Sequence, residues 1–319
     1  MLAGVVVASV LSQQVVGEGS AGPVSSWTAN ANAFEDSLQK RLLQLHNGDW
    51  LSETARTNLS NTVHISRSTD GAVSWQSIST VTDANRVLAQ PHLIQRPDGS
   101  VILSAAAWNG KDPYAILTWR STNDGTTWGT GPLSTVDSFP AIPNEMKGLW
   151  EPHLFNLADG RLAALYANEG HAYSFPSYSQ VISERVSNDG GASWGPEFFV
   201  AATPGTSRPG VPVVAKRSDG QFVLAYEVCG APGEVCPTWT KVSADGVTWD
   251  VDVYSGRPVT GHAYSTHIAS LADGRLVISS ARNEVSYSND FGETWLRQDP
   301  PAFSFAQGDP SDYLVANAL

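Results

Sequence analysis

The stretch VSNDGGASW, Val186 to Trp194, decides the fold. Ser187 and Asp189 are spaced so that their short side chains can bond the backbone N–H groups of their own turn. Gly190 and Gly191 supply backbone angles that other residues resist. Trp194 follows at once, a broad side chain suited to wedging between neighbouring sheets.

The pattern recurs as SRSTDGAVSW ending at Trp75, RSTNDGTTW at Trp128, VSADGVTW at Trp249 and SYSNDFGETW at Trp295. An Asn-Gly or Asp-Gly turn precedes each copy, with its glycine at Gly48, Gly99, Gly160, Gly220 and Gly274. Such dipeptides between apolar runs are strong hairpin signals. Each repeat therefore reads as four antiparallel strands over about fifty to sixty residues, and repetition in tandem marks an all-β propeller. No long stretch has a helical apolar period. In STDGAVSW the second glycine is replaced by Ala72, and SADGVTW is one residue short, so these two turns are expected to be distorted.

In an up-and-down unit the Asp-Gly turns and the Ser-x-Asp turns share one face. The loops before the first strand and after the second share the other, the natural place for a ligand. On that face fall Glu151 and Glu169 of the third unit, Arg208 and Glu227 of the fourth, and Tyr264 before the fifth. Glu151 and Glu227 are set in apolar sequence, beside Trp150 and Tyr226, where an idle carboxylate would cost desolvation energy. Two carboxyls across a cleft are the minimal equipment of a glycosidase. Trp150 and Tyr226 are read as flat surfaces for sugar rings, and Glu169, Arg208 and Tyr264 as further binding residues.

The formal net charge of −12 argues against nucleic acid or an anionic membrane as partner. A neutral or cationic partner fits better, and an oligo- or polysaccharide substrate is expected. Cys229 and Cys236 flank a Gly-Pro-Gly-type loop that can close a small disulfide ring, with two free thiols as the alternative. No metal cluster or cofactor loop is visible: the histidines are scattered and the cysteines lack zinc-ligand spacing. Residues 1–40 form an N-terminal segment, either an imperfect signal or a strand that closes the ring; residues 41–319 form one propeller domain. A secreted, monomeric protein is expected.

The turns resemble the Asp-box, or BNR repeat, of sialidase-like proteins from about Arg41 to Trp295. The segments WEPHLFNL, SRPGVPVVAK and FVLAYEVCG resemble glycoside hydrolase family 93, six-bladed exo-α-1,5-L-arabinanases that release arabinobiose with retention. That resemblance implies Glu151 as acid/base and Glu227 as nucleophile. It also implies a sixth blade, of which only the strand DYLVANAL follows Trp295, about forty residues short of completion. Tyr313 in that strand is expected beside Glu227 as a further catalytic group. A sialidase would need an arginine triad, for which Arg41, Arg208 and Arg282 are the candidates, and a non-catalytic carbohydrate-binding propeller would need no paired carboxyls.

Overall fold

The computed structural model describes residues 8–10, 28–30, 40–55, 60–142, 147–230, 236–280 and 285–297. Strands β1 (Ala8–Val10) and β2 (Thr28–Asn30) pair in a two-stranded ribbon apart from the blades. The first blade holds β3 (Lys40–Gln44), β4 (Trp50–Ala55), β5 (Thr62–Ser68) and β6 (Gln76–Thr82). The second holds β7 (Val87–Gln95), β8 (Val101–Trp108), β9 (Tyr114–Ser121) and β10 (Ser134–Phe139). The third holds β11 (Leu149–Asn156), β12 (Leu162–Asn168), β13 (Val181–Ser187) and β14 (Phe198–Ala201). The fourth holds β15 (Arg208–Lys216), β16 (Phe222–Cys229), β17 (Pro237–Ser243) and β18 (Arg257–Ala263). The fifth holds β19 (His267–Ser270), β20 (Leu276–Ser279), β21 (Val285–Ser288) and β22 (Leu296–Arg297).

Every blade is antiparallel and pairs its strands in chain order, and the first strands of neighbouring blades pack together. The described residues thus form a β-propeller of five blades, not the expected six. The count of six rested on resemblance, and the DYLVANAL strand and Tyr313 lie outside the described residues. The N-terminal stretch contributes β1 to the ribbon with β2 rather than a strand to any of the five blades.

Apolar side chains fill the seams between consecutive blades. Leu51 and Ile65 meet Leu93 and Trp119 between the first and second; Ile102 and Ile116 meet Leu154 and Tyr166 between the second and third. Leu165 and Ile182 meet Leu224 and Tyr226 at the next seam, and Val213 and Val223 meet Ile268 and Ile278 at the last. Burial of each such side chain contributes roughly 1.5–3 kcal/mol.

The Ser-x-Asp turns stitch these seams from below. Ser187 Oγ accepts the Gly191 N–H at 2.7 Å, and Asp189 Oδ1 accepts the Ser193 N–H at 2.8 Å. Hydrogen bonds from Ser193, chiefly from its hydroxyl, hold the Asp189 carboxyl down to about 2. Trp194 Nε1 then donates to Ser134 Oγ of the preceding blade at 2.9 Å. Trp128 reaches Ser79 in the same way at 3.1 Å, and Trp249 reaches Glu184 at 2.9 Å. Of the two irregular copies, the first keeps the four-residue closure, Ala72 N–H to Ser68 Oγ at 2.9 Å, and the short one is tightened, closing after three residues with Gly246 N–H to Ser243 Oγ at 2.9 Å. Ala72 manages this by adopting φ 66°, at a backbone cost that glycine would avoid.

Candidate active site

Three first strands carry the same irregularity. β7, β11 and β15 shift register between Ala89 and His92, Trp150 and His153, and Gly210 and Val213. In each bulge one residue sits before a proline with positive φ: Gln90 at 50°, Glu151 at 57° and Val211 at 48°. A branched residue with such a φ, and any residue before proline, is strongly disfavoured there. Strain of this kind costs on the order of 1–3 kcal/mol per residue and concentrates at functional sites.

The bulges are wired to each other across the seams. Gln90 Oε1 accepts the Glu151 N–H at 2.9 Å, and Glu151 Oε2 accepts the Val211 N–H at 2.6 Å. The third blade's glutamate is therefore positioned by the second blade and aimed at the fourth. In the fourth blade Glu227, near the end of β16, accepts the Ser265 N–H at 2.7 Å through Oε2. Ser265 and Tyr264 form another left-handed pair, with φ 43° and 60°. The Tyr264 N–H donates to the Cys236 carbonyl at 3.1 Å, and Tyr264 is half-buried.

Cys229 and Cys236 are joined in a disulfide, and the Glu227 carboxyl lies 3.6 Å from the Cys229 sulfur. The close grouping of Glu227 with both sulfurs is no metal cage, because the sulfurs are bonded to each other rather than present as thiolates.

Gly210 lies between the two glutamates. A Cβ there would stand 3.2 Å from Glu151 Oε2, 3.9 Å from Glu227 Oε1 and 2.8 Å from Gln180 Nε2. The two carboxylate oxygens are therefore no more than about 7 Å apart, the sum of the first two distances. Burial raises the Glu151 carboxyl, while the Val211 N–H and the charges of Arg41 and Arg208 pull it back. Burial and then the charge of Glu151 push Glu227 up to about 8. Burial and the repulsion between them thus favour the protonated form of both carboxyls.

Glu169 is buried and fully engaged. Its Oε2 accepts Trp150 Nε1–H at 2.8 Å and the Gly148 N–H at 2.9 Å, and its Oε1 accepts from Arg208 at 2.8 Å. It orients Trp150 and Arg208 rather than facing a ligand. Arg208 also donates to Gln180 Oε1 at 2.8 Å, and Gln180 Nε2 donates to the Pro209 carbonyl at 2.8 Å. Trp150 is partly exposed and meets Trp108 edge-on at 6.4 Å. Tyr226 corrects an expectation: it is fully buried in the seam, its hydroxyl donating to the Val253 carbonyl at 2.7 Å, so it presents no face to a sugar.

Arg41 is buried beneath the site and donates to the Pro152 carbonyl at 2.9 Å, reaching from the first blade to the third. Arg282 lies outside the described residues. Gln90, Gln180 and Gly210 escaped the sequence reading. The signal that finds Gln90 is the x-Pro pair nine residues before the turn glycine, shared by Gln90, Glu151 and Val211. Gln180 and Gly210 have no comparable local mark.

No protein-family model matches the chain, and no curated protein matches it. Solved structures do. The Penicillium chrysogenum α-L-arabinanase complexed with arabinobiose is 24% identical with TM-score 0.71, covering 83% of this chain and 82% of that one. The GH93 α-L-arabinofuranosidase of Fusarium graminearum, also with arabinobiose, is 22% identical with TM-score 0.71, covering 83% and 81%. A Hadza microbial sialidase is 17% identical with TM-score 0.57, covering 82% of this chain and 58% of the other. The chain thus shares its propeller fold with arabinan-acting glycosidases and, more distantly, with a sialidase.

Proposed function

We propose that the protein is a retaining exo-glycosidase that cleaves α-1,5-linked L-arabinan and releases arabinobiose. The observation that carries this reading is the pair of sunken carboxyls, Glu151 and Glu227, converging on Gly210 from adjacent blades. The strained backbone and the N–H donors that hold one oxygen of each carboxyl speak for preorganisation rather than chance. The two arabinan-acting proteins of the same fold, each solved with arabinobiose, supply the substrate class.

Glu227 is the nucleophile in this mechanism. Its carboxylate bonds to the anomeric carbon as the glycosidic C–O bond breaks, and Glu151 gives its proton to the departing oxygen. Water then attacks the glycosyl ester while Glu151 takes back a proton, which restores the configuration. Retaining enzymes hold the carboxyls about 5–5.5 Å apart, a spacing that the bound of about 7 Å accommodates. Attack requires the Glu227 carboxylate ionised and the Glu151 carboxyl protonated. Burial, the largest influence on Glu151, favours the protonated form that the acid role needs.

Trp150, held by Glu169, offers the flat surface for a sugar ring, and Tyr264 borders the same pocket. A sialidase is disfavoured because Arg208 is spent on Glu169 and Gln180, and Arg41 on a backbone carbonyl. The disulfide suits an oxidising compartment, and the reading is of a secreted monomer without cofactor.

The test is incubation with linear and debranched arabinan followed by product sizing. Arabinobiose is the expected product, and Glu151→Gln and Glu227→Gln each remove nearly all activity. A folded protein that releases nothing from either polymer overturns the reading.

A further inference from the structure

The segment 170–179 leaves the site and returns to it. It begins after Glu169, which holds Trp150 and Arg208, and ends before Gln180, which holds Arg208 and faces Gly210. Between them runs GHAYSFPSYS, a short helical turn, Gly170–Tyr173, followed by bends and an isolated bridge from Tyr178 to Gly205. Tyr173 is 56% exposed and Phe175 is 102% exposed, the most exposed of the large apolar side chains among the described residues.

This display is not slack chain. The Ser174 hydroxyl bonds the His171 and Pro176 carbonyls at 2.7 and 2.8 Å, and the Ser177 hydroxyl bonds the Ala172 carbonyl at 2.8 Å. Ser179 N–H donates to the Gly205 carbonyl, and Gly205 N–H donates back to the Ser177 carbonyl, both at 3.0 Å. At the base, His171 bonds Glu197 at 3.0 Å, and the rings of His171 and Tyr178 stand edge-on to Phe199 at 4.8 and 5.5 Å. A loop braced this heavily keeps an apolar ring in water at a continuing cost. Exposed aromatics on a rigid support, continuous with a pocket, mark a binding surface whose ordering cost is already met.

We propose that this loop is a rim platform for the polymer, with Phe175 and Tyr173 stacking on arabinose rings that lie outside the central pocket. The inference rests on the arabinan reading. An exo-acting pocket takes the chain end, so the rest of the polymer must leave over the rim, and this apolar loop is joined at its two ends to Glu169 and Gln180, which hold Trp150 and Arg208. The occupant is a neutral furanose chain rather than an acidic one. Its rings offer C–H faces to aromatic surfaces and need no cationic partner, and GHAYSFPSYS holds no lysine or arginine.

Phe175→Ala separates the possibilities. Its effect is read on linear arabinan and on an aryl arabinobioside, and its retardation is read in gels cast with linear arabinan. The expected result is a rise of about tenfold in KM for the polymer with kcat held, matching a hot-spot aromatic. The change for the aryl glycoside should stay under about twofold, and gel retardation should weaken. Phe175→Trp should restore the parent's polymer KM. If the parent cleaves arabinan and Phe175→Ala leaves the polymer KM and retardation unchanged, or alters both substrates alike, the platform is refuted while the enzyme reading stands. If the parent neither cleaves nor is retarded by arabinan, both fall.

Discussion

Replacing Glu227 by glutamine should remove the activity and stabilise the protein progressively as the pH rises above about 4.5, most of all above about 8. The folded chain holds the Glu227 carboxyl up to about 8 against an ordinary 4.5, because burial and the neighbouring Glu151 charge oppose its ionisation. The unfolded chain releases that proton near the ordinary value. The protonated carboxyl's contribution to stability is therefore full below about 4.5 and is lost as the pH climbs through about 8. At about 1.4 kcal/mol per pH unit the penalty is at most about 5 kcal/mol. Residual exposure at the pocket mouth and sharing of the repulsion with Glu151 reduce it to roughly 1–3 kcal/mol. Glutamine keeps the same shape and can still accept the Ser265 N–H, yet it never has to ionise. At about 2–4 °C per kcal/mol, thermal melts should place Glu227→Gln about 2–12 °C above the parent at pH 9 and level with it at pH 4. A variant that melts no higher than the parent at pH 9, or whose gain is the same at both pH values, would refute the reasoning.

Three further outcomes follow from the same geometry. Gly210→Ala puts a methyl group against Glu151 and Gln180 and should lower kcat by about a hundredfold with little change in melting temperature; near-parent turnover would mean the glycine is not where the carboxyls converge. Reduction of the Cys229–Cys236 disulfide should lower kcat, because it loosens the segment that presents Glu227 and Tyr264, and should cost about 2–3 kcal/mol of stability; unchanged kcat with two titrated thiols would show the bridge to be irrelevant to the site. Azide added to Glu151→Ala or Glu227→Ala with an aryl arabinobioside separates the two roles. Glu227→Ala should yield the glycosyl azide of inverted configuration and Glu151→Ala the retained one, and the opposite pairing would exchange the assignments.

The propeller could be read from the chain because its staples are local. The bonds of Ser187 and Asp189 close within a few residues, so their spacing is visible in sequence and repeats with each blade. The common face of Glu151 and Glu227 followed from strand direction alone. Tyr226 was misread although alternation held the answer: in a strand, the neighbour of a pocket-facing Glu227 points the other way, into the seam. Trp150 escaped that fate because the bulge after it breaks the alternation. The role of Glu169 depends on Arg208, thirty-nine residues distant, and on backbone at Gly148, contacts that no local pattern announces. The sixth blade came from likeness rather than from residues, and its strand lies beyond those described.

The bond from Val211 N–H to Glu151 spans the seam between the third and fourth blades, so the placing of Glu151 against the fourth blade that carries Glu227 depends on that seam staying closed. Trp249 and Glu184 fasten the same seam on the opposite face. A propeller of stacked sheets can part at one joint without melting the sheets themselves. On the proposed mechanism the site is a gauge of that joint: a change of a fraction of an ångström between two intact blades, with no strand lost, draws Glu151 and Glu227 apart. Mild heat or denaturant would silence such an enzyme before any spectroscopic sign of unfolding, and residues that tighten the far-side clamp would extend its working range without touching the sugar.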